Sequence, residues 1–207
     1  MKQGTSNLTW HTTALTREDR QSNLHQTAMT IWLTGLSGSG KSSLAFGLES
    51  SLAAQGKSCF VLDGDNIRHG LCSDLGFTLV ERCENIRRIA EVSKLMNDAG
   101  LIVIVAIISP LIEHRTLASN IIGTANFHEI YVSTPLDICE KRDPKGLYLK
   151  ARRGSLGDFT GVSSPYIPPP SPRLVIDNTN DSIEANIKRL SEYLEICNNT
   201  KTTKHPD

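Results

Sequence analysis

Gly35-Leu36-Ser37-Gly38-Ser39-Gly40-Lys41-Ser42 fits the spacing G-x-x-x-x-G-K-[ST] in full. It follows the apolar run Met29–Thr34, which stops at the glycines as a buried strand would. A helical stretch opens at Lys41 and runs to about Gln55, with Gly56 as its stop signal. Strand, glycine-rich turn and helix form the context in which this motif carries chemistry. The glycines let the backbone curl until successive N–H groups and the helix N-terminus face a phosphate chain. Lys41 is then placed to reach the β- and γ-phosphates, and Ser42 to ligate Mg²⁺. Gly35, Leu36, Ser37, Gly38, Ser39 and Gly40 complete the expected ATP cradle.

Working outward, Ser58–Leu62 reads as a second strand. Glu81–Ala99 places Ile86, Ile89, Ala90, Ser93 and Met96 on one helical face. Leu101–Ile108 is almost wholly apolar and β-branched, as expected of a central parallel strand covered on both faces. Glu113–Ile122 is a helix, Glu129–Ser133 a strand, and Pro135 starts another helix at its tolerated first turn. Leu174–Asp177 is the last strand and Ile183–Ile196 the closing helix. Alternating strands and helices predict an α/β doubly wound parallel sheet in three layers, of the P-loop NTPase, nucleotide kinase-like class. The predicted organisation is a polar arm over 1–28 with a helical turn near Thr16–Gln21, a P-loop domain over 29–197, and a flexible tail over 198–207. A lid is expected at about 142–162.

The 207 residues carry 22 Lys+Arg against 22 Asp+Glu. Zero net charge excludes binding to nucleic acid or membrane by bulk electrostatics, though not a locally basic pocket. No apolar run approaches the roughly 20 residues needed to cross a bilayer, and the polar N-terminus has no leader pattern. The five cysteines are scattered without a C-x-x-C pair, which fits free thiols in a cytoplasmic protein.

The phosphate-binding loop by itself leaves GTPases, motor ATPases, transport ATPases and small-molecule kinases open. A guanine-reading N-K-x-D is missing from the sequence, and a motor or transporter usually brings more chain, so a small-molecule kinase fits best. Asp63 and Asp65 stand at the end of the second strand, where acids can hold Mg²⁺ and orient an acceptor hydroxyl. Asp63-Gly64 is equally a common turn dipeptide. Arg68, Arg82, Asn85 and Arg87 follow, and arginine forks suit phosphate or sulfate oxygens. Read from the residues alone, that cluster is as well explained by a solvated helix face.

Together the blocks GLSGSGKS (35–42), LDGDNIRHGLCSDLGF (62–77), ENIRRIAEV (84–92), ISP (108–110), RDPKGLY (142–148) and FTG (159–161) resemble the adenylylsulfate kinase family, in that family's order. The resemblance spans about residues 10–195. It implies transfer of the γ-phosphoryl of ATP to the 3′-hydroxyl of adenosine 5′-phosphosulfate, with Mg²⁺. It further implies that Arg68, Arg82 and Asn85 grip the phosphosulfate and that Phe77 and Phe159 sandwich the adenine. Of these two rings, Phe159 is expected to be the less core-like, because glycines flank it. Ile108, Ser109 and Lys145 would complete the acceptor site. The family describes the serine of ISP as a phosphoserine intermediate, whereas direct in-line transfer is the simpler chemistry. Asp63 is expected to position or deprotonate the hydroxyl and Asp65 to help hold Mg²⁺. Arg142, Lys145 and Arg152 belong to a basic lid whose closure excludes water. Of the basic residues in this stretch, Lys150 and Arg153 fit equally well on a plain helix surface. A homodimer is expected, and association with an ATP sulfurylase is a further possible partnership.

The sequence departs from the family pattern at Ser43, at Leu111-Ile112, and at Ile167 and Arg173, where the pattern carries acids. Cys59 is the first cysteine, so the N-terminal redox switch of the plant branch is not expected. Two competing readings are a kinase for another small acceptor and a non-catalytic nucleotide-binding subunit.

Overall fold

A computed structural model describes residues 8–9 and 11–202. Its elements are α1 (Arg17–Asn23), β1 (Thr30–Thr34), α2 (Lys41–Ala54), β2 (Cys59–Asp63), α3 (Gly64–Ile67), α4 (Leu79–Asp98) and β3 (Ile102–Ala106). They continue with α5 (Ile112–Ile122), β4 (Phe127–Ser133), α6 (Leu136–Arg142), α7 (Leu147–Arg152), β5 (Leu174–Asp177) and α8 (Ile183–Thr202). The strands pair in parallel in the order β2-β3-β1-β4-β5.

Alternation along the strands divides the core into two layers. Ile31 and Leu33 of β1, with Ile102 and Ile104 of β3, face Leu44, Leu48 and Leu52 of α2 and Leu190 and Leu194 of α8. Trp32, Val103 and Val105 face the other way, onto Ile86, Ile89 and Ala90 of α4 and Ala118 and Ile122 of α5. Full burial of each such side chain contributes about 1.5–3 kcal/mol. Gly47 lets α2 lie close to α8, since a Cβ there would stand 2.2 Å from Ile187 Cδ1. A third cluster sits under the lid: Cys139, Tyr148, Ala151 and Phe159.

The register brings the carboxyl ends of the strands to one edge. Asp63 pairs with Ala106, Ala106 with Leu33, Thr34 with Tyr131, and Ser133 with Asp177. The chain order reverses at β1, which has β3 on one side and β4 on the other. Ligands in open parallel sheets bind at such a switch point.

Several boundaries differ from expectation for local reasons. Helix α4 begins at Leu79 because Thr78 and Glu81 form a capping box, so Glu81 closes the first turn instead of starting it. Strand β3 ends at Ala106, two residues short, where the backbone turns toward Ser109 at φ +38°. Strand β4 gains Phe127 and His128 by pairing with Thr30 and Ile31. Helix α8 continues past Ile196 to Thr202, into the segment read as a tail; residues 203–207 lie outside the described ones. In the arm, α1 is capped by Thr16 and tied down: Arg20 Nη1 donates to Asp98 O at 3.1 Å, and Gln26 Nε2 donates to Ser58 O and Gly100 O at 2.8 Å each.

Candidate active site

Gly40 precedes α2 at φ +96°, in the left-handed region, and a Cβ there would fall 2.1 Å from Asn178 Nδ2. That amide donates to Ser39 O at 2.8 Å, and Thr134 Oγ1 donates to the same oxygen at 3.1 Å. The loop is therefore held from behind by the residues that follow β4 and β5. Tyr148 of α7 donates through its hydroxyl to Ser37 O at 2.9 Å, joining the lid to the loop.

Lys41 is buried, and its ammonium donates to Gly35 O at 2.9 Å, Leu36 O at 2.6 Å and Ser39 Oγ at 3.3 Å. Burial pushes it down to about 8, and Asp63 is among the charges that oppose the shift. A cation spending its hydrogen bonds on three neutral oxygens is poised to exchange them for phosphate.

Ser42 Oγ donates to Asp63 Oδ2 at 2.7 Å. The other oxygen, Oδ1, caps α3 through Asp65 N at 3.0 Å and Asn66 N at 3.4 Å. Asp63 is 5% exposed. Asp65 is exposed, and its carboxylate pairs with Lys145. The structure thus brings Asp63, and not Asp65, to Ser42, the serine expected from the sequence to ligate Mg²⁺. A hydroxyl and a carboxylate are hard oxygen donors of the kind Mg²⁺ takes alongside phosphate oxygens and water.

Across β3 lies a second polar corner. Arg68 Nη1 donates to Leu75 O and Gly76 O at 3.0 Å each, and its guanidinium carbon stands 4.3 Å from the centre of the Phe77 ring. Arg82 donates to Phe77 O at 2.6 Å, to Thr160 Oγ1 at 2.7 Å and to Asp158 O, so it binds the start of α4 to the lid. Desolvation lowers the basicity of both arginines. Asn85 is 6% exposed and its Oδ1 has no hydrogen-bond partner. A buried acceptor left empty is costly and marks a place for a donor.

The two phenylalanines reverse the sequence expectation. Phe77 is 59% exposed, whereas Phe159 is 8% exposed and packs edge-on against Tyr148 at 4.9 Å between ring centres. Gly161, at φ +92°, serves the turn that follows Phe159, and the Phe159 ring fills a small lid core.

Ser109 is buried, and its Oγ accepts a hydrogen bond from Trp32 Nε1 at 3.1 Å. Ile108 O accepts from Thr34 Oγ1 at 2.7 Å. Of the lid residues, Arg142 Nη2 donates to Asn178 O at 2.6 Å, and Arg152 pairs with Glu140. Sequence reasoning missed Trp32, Thr34, Arg115, Thr134 and Asn178, whose partners lie far away in the chain.

A glycine-rich loop between β1 and α2 at the carboxyl edge of a five-stranded parallel sheet, with a buried lysine and a serine bound to the acid that ends β2, defines a P-loop kinase fold. Residues 27–177 match the family model described as adenylylsulphate kinase. The chain belongs to that family. It is 53% identical over 180 residues to an adenylyl-sulfate kinase of Bacteroides thetaiotaomicron, covering 87% of this chain and 90% of that protein. An adenylyl-sulfate kinase of Shewanella amazonensis is 49% identical over 189 residues, 91% of this chain and 96% of that one. Among solved structures, an APS kinase of Mycobacterium tuberculosis in complex with AMPPNP and APS has 48% identity and a TM-score of 0.79, over 82% of this chain and 98% of its own.

Proposed function

We propose that this chain transfers the γ-phosphoryl group of ATP to the 3′-hydroxyl of adenosine 5′-phosphosulfate, releasing ADP and 3′-phosphoadenylyl sulfate. The observation that carries the residue assignment is the double engagement of Asp63. One oxygen meets Ser42 at the phosphate site, and the other caps the turn leading to Arg68 at the acceptor site. A carboxylate there can align an acceptor hydroxyl with the γ-phosphorus and take its proton as the bond forms.

The loop N–H groups and Lys41 hold the triphosphate. Ser42, with Asp63 beside it, would hold Mg²⁺, which supplies charge neutralisation on the phosphates. On the acceptor side Asn85 Oδ1 offers a hydrogen bond, Phe77 a face for the adenine, and Arg68 and Arg82 positive charge. Lys145 and Asp65 bridge lid and acceptor loop, while Arg142 and Arg152 belong to the ATP side. Closure of the lid excludes water from the transferring group.

Ser109 serves as a wall of the acceptor site and not as a phosphoryl carrier. Its Oγ is buried against Trp32, and among the described residues no carboxylate or imidazole is hydrogen-bonded to it. Exposed Leu71, Leu79 and Val80 near this corner fit the expected homodimer. The need for ATP fits a cytoplasmic location.

The test is ADP release from Mg-ATP with adenylyl sulfate, compared with shikimate, gluconate and adenosine. Release that depends on adenylyl sulfate supports the reading; release with another acceptor alone overturns it.

A further inference from the structure

Arg115 of α5 is 3% exposed and is not adjacent to the phosphate-binding loop in any hydrogen bond it makes. Its guanidinium reaches three separate pieces of chain. Nη1 donates to Ser109 O at 2.8 Å, and Nη2 donates to Ile167 O at 2.9 Å. Nε lies 2.6 Å from Glu129 Oε1 of β4, in an ion pair.

The pieces it joins need holding. Ser109 sits at φ +38°, a region in which a non-glycine residue is strained and persists only where its surroundings fix it. The strap that follows Ser164 crosses above it: Ile167 N donates to Pro110 O at 2.9 Å, and the Tyr166 hydroxyl lies 3.0 Å from Thr34 Oγ1. Tyr166 also stacks on Tyr131 with ring centres 6.0 Å apart. Removing the guanidinium would leave Ile167 O and a half-buried carboxylate without this partner, and Ser109 O with only the longer bond from Thr34 Oγ1 at 3.4 Å, so the strained turn would lose its shortest backbone anchor.

We infer that Arg115 is the positioning residue of the acceptor site: by tying Ser109 O and Ile167 O to one rigid fork, it presets the Ile108–Pro110 turn for the acceptor nucleotide. This rests on the proposed function, since the turn is assigned to the acceptor there. The ATP side is anchored elsewhere, through Asn178, Thr134 and Tyr148 on the loop carbonyls. The two substrates should therefore respond differently to a change at Arg115.

Arg115→Lys keeps the charge opposite Glu129 but cannot reproduce the fork. Glu129→Gln weakens the ion pair and leaves both carbonyl bonds in place. Both are assayed beside the parent chain for KM and kcat with each substrate, with ADP affinity and thermal unfolding measured separately. The expected result is a rise of at least about tenfold in the KM for adenylyl sulfate in Arg115→Lys, with ADP affinity within about twofold. Glu129→Gln should raise that KM less than Arg115→Lys does. Equal effects on both nucleotides, or a drop in melting temperature with unchanged KM values, would overturn the inference. Should Arg115→Lys fail to fold, a KM for adenylyl sulfate in Glu129→Gln that moves no more than its ADP affinity overturns it as well. A parent chain that releases no ADP with adenylyl sulfate would instead overturn the functional reading.

Discussion

Ser42 Oγ donates to Asp63 Oδ2 across 2.7 Å, and through this bond the first residues of α2 and the last residue of β2 form one unit. In the proposed function the hydroxyl would ligate Mg²⁺ and the carboxylate would meet the acceptor, and their contact would set both groups in one fixed geometry. Asp63→Asn tests the charge while sparing the shape, because the amide oxygen can still accept from Asp65 N and Asn66 N while its NH2 turns to Ser42 Oγ as a donor. We expect kcat to fall by about 10²–10⁴ with the melting temperature little changed. Near-normal kcat would remove Asp63 from the chemistry.

Phe77 and Phe159 should separate cleanly. Phe77→Ala removes an exposed ring, so stability should stay within about 0.5 kcal/mol. The KM for adenylyl sulfate should rise about five- to 150-fold, the equivalent of a base–aromatic stack worth 1–3 kcal/mol. Phe159→Ala removes the buried partner of Tyr148, so its first effect should be local. Limited proteolysis should cut faster within 142–162 while the rest of the domain stays protected.

At Gly40 an added methyl meets two obstacles, a left-handed φ and the Asn178 amide. Gly40→Ala should weaken ADP binding by about tenfold or more, as titration calorimetry would read. Pairing it with Asn178→Ala would remove the clash but not the backbone strain, so the double variant should recover only part of the affinity. Full recovery would mean that φ at position 40 is immaterial.

Acid stability offers an independent check on α4. Hydrogen bonds from Arg87 and Arg88 hold the Glu84 carboxyl down to about 2. A depressed carboxyl adds stability that is full above its unfolded value of about 4.3 and is lost as pH falls toward 2. Because the group is largely solvated, the gain should be about 1 kcal/mol or less. Thermal melts of the parent and Glu84→Gln should therefore differ most above pH 5 and converge near pH 2. A gap that widens on acidification would contradict the assignment.

The strands, the loop and the helix order were legible because local patterns encode them: β-branched runs, a glycine-rich turn, three- and four-residue spacing. The tethers were not. Asn178 reaches Ser39 across 139 positions, and Trp32 reaches Ser109 across 77. Only the folded sheet makes those pairs neighbours. Arg115 lies within the helix expected over 113–122, and nothing in its flanks announces that its fork is buried. The sequence expectation sets Asp63 at the hydroxyl and Asp65 at the metal. The fold separates them differently, because Asp63 is the last residue of β2 and is buried by the sheet, while Asp65 lies two residues further on, exposed beside Lys145. Phe159 was misjudged for a related reason, since its neighbours suggest a loop tip while its ring fills the lid core.

The most direct test of the central claim follows the phosphate itself. Purified chain is incubated with adenylyl sulfate, Mg²⁺ and ATP labelled in the γ-phosphate, and the nucleotide product is treated with a 3′-specific phosphatase. The account predicts label in an adenylyl sulfate product and its full release by that enzyme, with one ADP formed per label transferred. Label appearing directly as inorganic phosphate, or carried at any position but the 3′, would contradict it.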